Sequence, residues 1–553
     1  MPRLTSIGEY LIQQLYAHGV RHVFGVPGDY VLGFFDQLAH SNLQLINTCD
    51  EQGAGIAADA YARVSGLGTV CITYTVGGLK VVNSTAQAYA EKSPVVVISG
   101  APGMGERKKD PLLHHKVGDF DTQRKIFSEI TVASTLIGDP RTAAAEIDRC
   151  LSMAVKHKKP VYIELPRDMV HVAVPDDHNG FCEVKEPSDQ TTLQEALAEA
   201  AAMINSAQKP IIIAGVELHR FGLQQQLLDL VEGTNIPVAA LLLSKSVISE
   251  RHPLYLGLYE GGMGHDYVRE YIESSDCLIM LGAFLSDVDL GIHTSKVDMG
   301  KAINITSEKL SIGRHTYEDV RLQDFLRGLV DAKLRPRDYG AVRPFTAAIN
   351  HIDSHAFSPV KGCKITIARL FQKLDSFLRD DMVVIADVGD ALFGGSDLVI
   401  HQGTEFLSPA YYLSLGFAVP AAVGAQMASP GLRPVVLVGD GAFQMTGMEV
   451  STIARYRLNP VIIVINNRGY GTERLLLDGP FNDLQLWNYS AIPGLVGGNG
   501  RGFAVQTEDQ FEEALAAAWK HEGYSILDVQ IGQGDMSPAL QRLGSSLAKK
   551  VQQ

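Results

Sequence analysis

The six cysteines, Cys49, Cys71, Cys150, Cys182, Cys277 and Cys363, form no CxxC or CxH pair. That absence excludes a zinc ribbon or a redox motif and favours a reduced chain, made and kept in the cytoplasm. No apolar run approaches the length of a membrane span. The N-terminus, MPRLTSIGEYLIQQLYAHGV, lacks the apolar core of a signal peptide, and Ser6 with Glu9 makes the capping-box pattern that opens a helix. Positive charge is in deficit: 48 Lys and Arg stand against 62 Asp and Glu, a formal charge of -14. Nucleic acid and anionic membrane are therefore disfavoured as main partners, which leaves small molecules. No G-x-G-x-x-G opens a helix where a dinucleotide site would need it.

What is present is an ordinary globular composition, 46% hydrophobic and 20% charged, over 553 residues. That length exceeds one core and suggests three domains of roughly 150 to 200 residues. A weak internal repeat decides the architecture. Residues 53–100 and 416–466 pass through the same events: a small-residue helix, a Gly-Leu break, a β-branched strand, a glycine-rich turn, a helix, and a second strand opened by proline. VCIT at 70–73 precedes VVVI at 95–98, and VVLV at 435–438 precedes IIVI at 462–465, the spacing of a βαβ crossover. A third unit between them carries PIIIAG (210–215) and CLIMLG (277–282). The expected fold is α/β: three doubly wound domains with parallel sheets, the first and third alike. Their expected extents are 1–178, 190–338 and 358–553, with linkers at 176–190 and about 336–359.

The run VVLVGDGAF (435–443) ends a strand in an aspartate between two glycines. A sharp turn explains the glycines but not the carboxylate. Ligands of open parallel sheets sit beyond the carboxyl ends of strands, where a helix N-terminus favours an anion. The next strand ends in Asn466-Asn467 and the turn RGYG. A carboxylate (Asp440), an amide oxygen (Asn467) and a turn carbonyl (Gly469) are hard ligands suited to Mg²⁺ completed by phosphate oxygens. GDG alone is a common turn; the asparagine pair one crossover later carries the reading.

This spacing resembles the thiamine diphosphate signature, and essentially the whole chain then resembles a thiamine diphosphate-dependent 2-oxo-acid decarboxylase. The motifs are FGVPGDY (24–30), CDEQGAG (49–55), LLHHK (112–116), GDGAF (439–443) and NNRGYGTE (466–473). The histidine pair resembles the pyruvate, indolepyruvate and phenylpyruvate decarboxylase branch. The resemblance implies a pyrimidine-binding domain, a central domain and a diphosphate-binding domain, with decarboxylation to an aldehyde through an ylide and an enamine of the cofactor. Glu51 matches the glutamate that hydrogen-bonds the aminopyrimidine. Leu415 matches the apolar wedge that bends the cofactor, and the carbonyl of Leu413 the acceptor for its amine. Asp440, Gly441, Ala442, Asn467 and Gly469 match the diphosphate and metal site, with Ala442 standing where many relatives have serine. Asp29, His114, His115 and Glu473 match the proton carriers.

Asp390 replaces the threonine of typical pyruvate enzymes and is expected near the aminopyrimidine. Thr472 stands where a pyruvate-specific enzyme has isoleucine. With Val388, Leu392 and Leu476 as apolar walls, phenylpyruvate, indolepyruvate or a medium- or branched-chain 2-oxo acid is the expected substrate. The resemblance also implies a homodimer or homotetramer with the site between subunits. Two alternatives are a carboligase of the acetolactate-synthase or benzaldehyde-lyase kind, and a non-catalytic nucleotide-binding module built from the same units.

Overall fold

A computed structural model describes residues 4–175, 187–338, 357–401 and 405–551, with side chains as far as 545. Cys182 and most of both expected linkers lie outside the described residues. The chain opens as its first residues dictate: Ser6 caps the helix Ile7–Ala17, accepting from the Glu9 N–H, while Glu9 accepts from the Ser6 N–H at 2.9 Å.

The internal repeat appears as two sheets of identical topology. In the N-terminal domain six parallel strands lie in the order Gln44–Asn47, His22–Gly25, Gly68–Ile72, Val95–Ala101, Val161–Pro166, Ala133–Leu136. In the C-terminal domain the order is Glu405–Leu407, Met382–Ala386, Arg433–Gly439, Val461–Asn466, Ser525–Gln530, Arg501–Val505. Ranked by position in the chain, both read second, first, third, fourth, sixth, fifth. The central strands are buried along almost their whole length because helices cover both faces.

The central domain departs from a purely parallel sheet. Pro210–Ala214 and Cys277–Leu281 pair in parallel at its centre, as their apolar runs suggest. Beyond Ala302–Ile305, however, the strands Leu310–Ile312 and His315–Tyr317 turn back antiparallel. The reason is local. Ile312 pairs with His315 across a two-residue turn, and Gly313 takes the left-handed φ of 54° that the turn needs. Among the described residues no helix is long and apolar enough to cross a membrane.

The like domains meet through the helices Glu51–Ser65 and Ala418–Ala428, which occupy equivalent places in the repeat. The second is apolar on every side and buried from Ala418 to Gln426, as such a helix must be. A Cβ at Gly424 would lie 1.9 Å from the Ala57 carbonyl oxygen, so only glycine permits this approach. One hydrophobic core therefore runs through both domains, including Phe24, Ala57, Ala422 and Val464.

A buried ionic group reinforces the joint. The Arg63 guanidinium pairs with Asp59 (2.8 Å) and Glu91 (2.6 Å) and donates to the Ser408 carbonyl at 3.0 Å. The second oxygen of Glu91 accepts from the Tyr411 and Tyr412 N–H groups at 2.9 and 2.8 Å. Paired and hydrogen-bonded in this way, the three charges tolerate burial.

Gly424→Val should force the two helices apart and cost at least ~1–3 kcal/mol through overpacking. Gly431→Ala, where an added Cβ meets nothing within 4 Å, should be neutral. Thermal unfolding of the two variants beside the wild type checks both expectations.

Candidate active site

Three loops leave the carboxyl ends of neighbouring C-terminal strands. Gly439 pairs with Ile465, so Asp440 and Asn466 emerge from adjacent strands at nearly the same level. Asp440 is the first residue of the helix Asp440–Thr446 and is 2% exposed. Its Oδ1 accepts from the Gly441 N–H at 2.9 Å and its Oδ2 from the Gly469 N–H at 3.1 Å. The GDG turn and the RGYG turn are thus fastened together through one carboxylate. Burial pushes that carboxyl up to about 6, and among the described residues no lysine or arginine pairs with it. A buried acid without a cationic partner at a helix start suits a metal ion.

The asparagine pair divides its labour. Asn466 donates its amide to Asp528 at 2.8 Å, a structural bond. Asn467, 8% exposed, begins the turn whose Gly469 N–H bonds Asp440. A Cβ at Gly471 would lie 2.7 Å from its Nδ2, so the glycine makes room for this side chain. Gly441 likewise admits the Tyr470 ring, and Gly469 admits the Asn482 carbonyl oxygen, at 2.6 and 2.3 Å from the missing Cβ atoms. Arg468 sits at φ 65°, a left-handed strain that turns the backbone between Asn467 and Gly469. Ala442 is buried behind them.

The third loop follows Met382–Ala386. Asp387, unremarked in the sequence, is fully buried and accepts N–H bonds from Val388 (2.9 Å), Gly416 (3.0 Å) and Ala418 (2.7 Å). Together with Glu91 it straps down residues 411–418. Within that strap Leu413 adopts φ 59°, a conformation costly for leucine and held here from both sides. Leu415 beside it is half-buried. Asp390 accepts from the Ser537 N–H at 2.9 Å, while its other oxygen is buried with no partner. Burial pushes this carboxyl up to about 6. An orphaned acceptor of this kind fits a ligand that brings a donor.

Val388 and Thr472 are half-buried and Leu476 is exposed. The Thr472 hydroxyl lies 3.5 Å from where a Cβ at Gly389 would stand. Leu392, expected as a wall, is instead fully buried in the core, with no face open to a ligand. The turn at Gly389 (φ 94°) starts a helix at Asp390, and its phase carries Leu392 inward.

The N-terminal domain supplies a second group. Asp29, His114 and His115 come together although the histidines follow a different strand. His114 Nε2 is 2.7 Å and His115 Nε2 3.8 Å from the Asp29 carboxylate. The histidine rings stand edge to face at 4.7 Å, His115 has φ 68°, and the Tyr30 hydroxyl donates to the His114 carbonyl at 3.3 Å. Glu51 opens the helix Glu51–Ser65 behind its N-cap Asp50 and is 9% exposed. Lys80, which no sequence signal singled out, pairs with Glu51 at 2.9 Å and also with Asp50. Glu473 is exposed on the C-terminal domain. Among the described residues, no hydrogen bond or ion pair joins Glu51 or the histidines to Asp440, Asn467 or Glu473. The chain builds two half-sites.

Comparison with known proteins agrees with this division. The thiamine pyrophosphate enzyme family matches in three pieces: its N-terminal TPP binding domain over residues 5–124, its central domain over 197–332 and its C-terminal TPP binding domain over 387–529. An indole-3-pyruvate decarboxylase from Azospirillum brasilense is 34% identical over 551 residues, 97% of either chain. A probable pyruvate decarboxylase from Schizosaccharomyces pombe is 32% identical, covering 98% of this chain and 96% of the relative. An alpha-keto-acid decarboxylase from Mycolicibacterium paratuberculosis is 32% identical, covering 94% and 93%. With half-sites suited to a diphosphate and to proton transfer, matched along its full length, the chain belongs to the thiamine pyrophosphate enzyme family, in the branch of thiamine diphosphate-dependent 2-oxo-acid decarboxylases.

Proposed function

We propose that the protein releases CO₂ and an aldehyde from a 2-oxo acid with a large apolar side chain, phenylpyruvate or indolepyruvate before pyruvate. The carrying observation is Thr472 beside the open turn at Gly389, a small residue next to a glycine where a wide side chain needs space. The similarity to a protein named indole-3-pyruvate decarboxylase supports it.

Bound thiamine diphosphate supplies a carbon nucleophile and an electron sink. This chain's residues do the rest. Asp440, Asn467 and the Gly469 carbonyl hold Mg²⁺, which neutralises the diphosphate, while the N–H groups of Gly441 and Ala442 lie at a helix start where anions are favoured. Leu415 would serve as the apolar wedge, and Leu413, held at φ 59°, would offer its carbonyl to the amine. Asp390 would offer its unpartnered oxygen to a donor on the pyrimidine side of the cofactor. Glu51 hydrogen-bonds the pyrimidine ring and drives its tautomer. Asp29, His114, His115 and Glu473 move protons, the 2.7 Å contact of His114 with Asp29 being short enough for direct transfer. Val388, Thr472 and Leu476 wall the substrate.

The likeness to this family along the full length supports a homodimer, or a homotetramer of two such dimers, as the working unit, joining Glu51 of one copy to Asp440 of the other. Exposed Met445, Met448, Leu477 and Phe481 flank the Asp440 and Gly469 loops and give a second copy an apolar surface to cover. The five described cysteines are all unpaired, which suits the cytoplasm.

Glu51→Gln should keep the fold and the cofactor yet lower kcat about 100-fold or more, read by aldehyde release from the cofactor-loaded enzyme. Burial places the metal-free Asp440 carboxyl near 6, so below that pH a proton competes for the oxygen that Mg²⁺ needs. The apparent Mg²⁺ affinity should therefore fall about fivefold as pH drops from 6 to 5, and stay nearly level above 7, in a Mg²⁺ titration of cofactor retention. Thr472→Ile should lower kcat/KM for phenylpyruvate at least ~10-fold more than for pyruvate. A wild type that prefers pyruvate would refute the substrate assignment.

A further inference from the structure

The backbone just before Glu51 is held from the other domain. Glu449 ends the short run Gly447–Glu449 that follows the helix Asp440–Thr446, so it lies nine residues beyond Asp440 on the same continuous segment. It is 2% exposed, and burial raises its carboxyl above the ordinary range. Its Oε1 accepts from the Cys49 and Asp50 N–H groups, both at 3.1 Å, and its Oε2 from the Cys49 N–H at 3.2 Å and the Thr452 hydroxyl at 2.5 Å. The preceding strand is gripped from the same segment: the Tyr456 hydroxyl accepts from the Asn47 N–H at 2.7 Å.

Gly53 supplies an independent mark. A Cβ there would lie 2.2 Å from Glu449 Oε1 and 2.6 Å from its carboxyl carbon. A glycine inside a helix costs about 1 kcal/mol relative to alanine. At this position the glycine is what leaves room for the Glu449 carboxylate.

We propose that Glu449 is the positioning residue for Glu51, fixing the Cys49–Asp50 backbone from which the glutamate enters the pyrimidine-side half-site; the inference rests on the decarboxylase reading above. Two bonds from a buried carboxylate to consecutive N–H groups fix both the level and the rotation of a helix start. A shift on the order of 1 Å there would displace the Glu51 carboxylate from the ring nitrogen, and misplacement of that size costs on the order of 100-fold in rate. Asp440 and Glu449 lie on one segment but serve different ends: Asp440 would hold the Mg²⁺ that neutralises the diphosphate, and Glu449 holds the backbone of the acid-base residue.

The test is hydrogen–deuterium exchange at C2 of enzyme-bound thiamine diphosphate, measured with kcat, KM and cofactor retention at saturating Mg²⁺. In Glu449→Ala exchange and kcat should fall together at least tenfold, with KM and cofactor retention within threefold of wild type. Glu449→Gln keeps an acceptor for the two N–H groups and should recover most of both rates. Gly53→Ala, which favours the helix and displaces the carboxylate, should reproduce the loss with Glu449 present, and it stands in if Glu449→Ala does not fold. Wild-type exchange in cofactor-loaded Glu449→Ala or Gly53→Ala would overturn the inference alone. A wild type that binds no thiamine diphosphate or does not exchange C2 would overturn the decarboxylase reading, and the inference with it.

Discussion

The close approach of Gly424 to the Ala57 carbonyl is the contact on which the rest of the molecule depends. Two sheets of the same strand order can share a core only if their equivalent helices cross almost backbone to backbone, and small residues on both make that possible. Once the helices are seated, Arg63 reaches Ser408, Glu91 reaches Tyr411 and Tyr412, and Glu449 reaches Cys49 and Asp50. Each polar bond across the joint requires the apolar crossing beneath it. Burial then gives those bonds their strength, because their partners are screened from water.

The two domains place their chemistry by one rule. The candidate side chains leave the carboxyl ends of strands around the point where strand order reverses: Asp29 after the first strand of its sheet, Glu51 after the second, Asp390 after the first of the other, Asp440 after the third. The same scaffold yields opposite electrostatics at its two ends. In the N-terminal domain carboxylates find basic partners, Asp29 with His114 and Glu51 with Lys80. In the C-terminal domain Asp440 is buried, and Asp390 half-buried, without them. The first arrangement suits proton traffic and the second suits a ligand that brings its own cation or donor.

The parts legible in the sequence were those written locally. Strand runs, the GDG turn, the asparagine pair and the βαβ spacing each fit within about 30 residues, the length of a crossover unit. The antiparallel edge of the central domain was also written, in SIGRHTY, but a two-residue turn with one glycine is a weak signal beside long apolar strands. Leu392 went astray because its direction depends on the phase of a helix begun at a left-handed glycine. Glu449, Asp387 and Lys80 escaped for a different reason. Glu449 and Cys49 are 400 residues apart, and nothing in either neighbourhood names the other. In the sequence Gly53 is one more small residue in a small-residue helix; only the fold sets the Glu449 carboxylate above it.

That separation has a consequence for how the chain is made. The helix Glu51–Ser65 emerges from synthesis long before its mate Ala418–Ala428, and the core they share cannot close until nearly four-fifths of the polypeptide exists. In the interval the nascent N-terminal domain has a finished sheet and an uncovered alanine face. The central domain has one apolar cluster wholly its own, which can pack while the chain waits, and a larger one that continues into the C-terminal domain. Docking of the outer domains is then the slow, long-range step of folding, and the stage at which an unguarded chain is most exposed to aggregation.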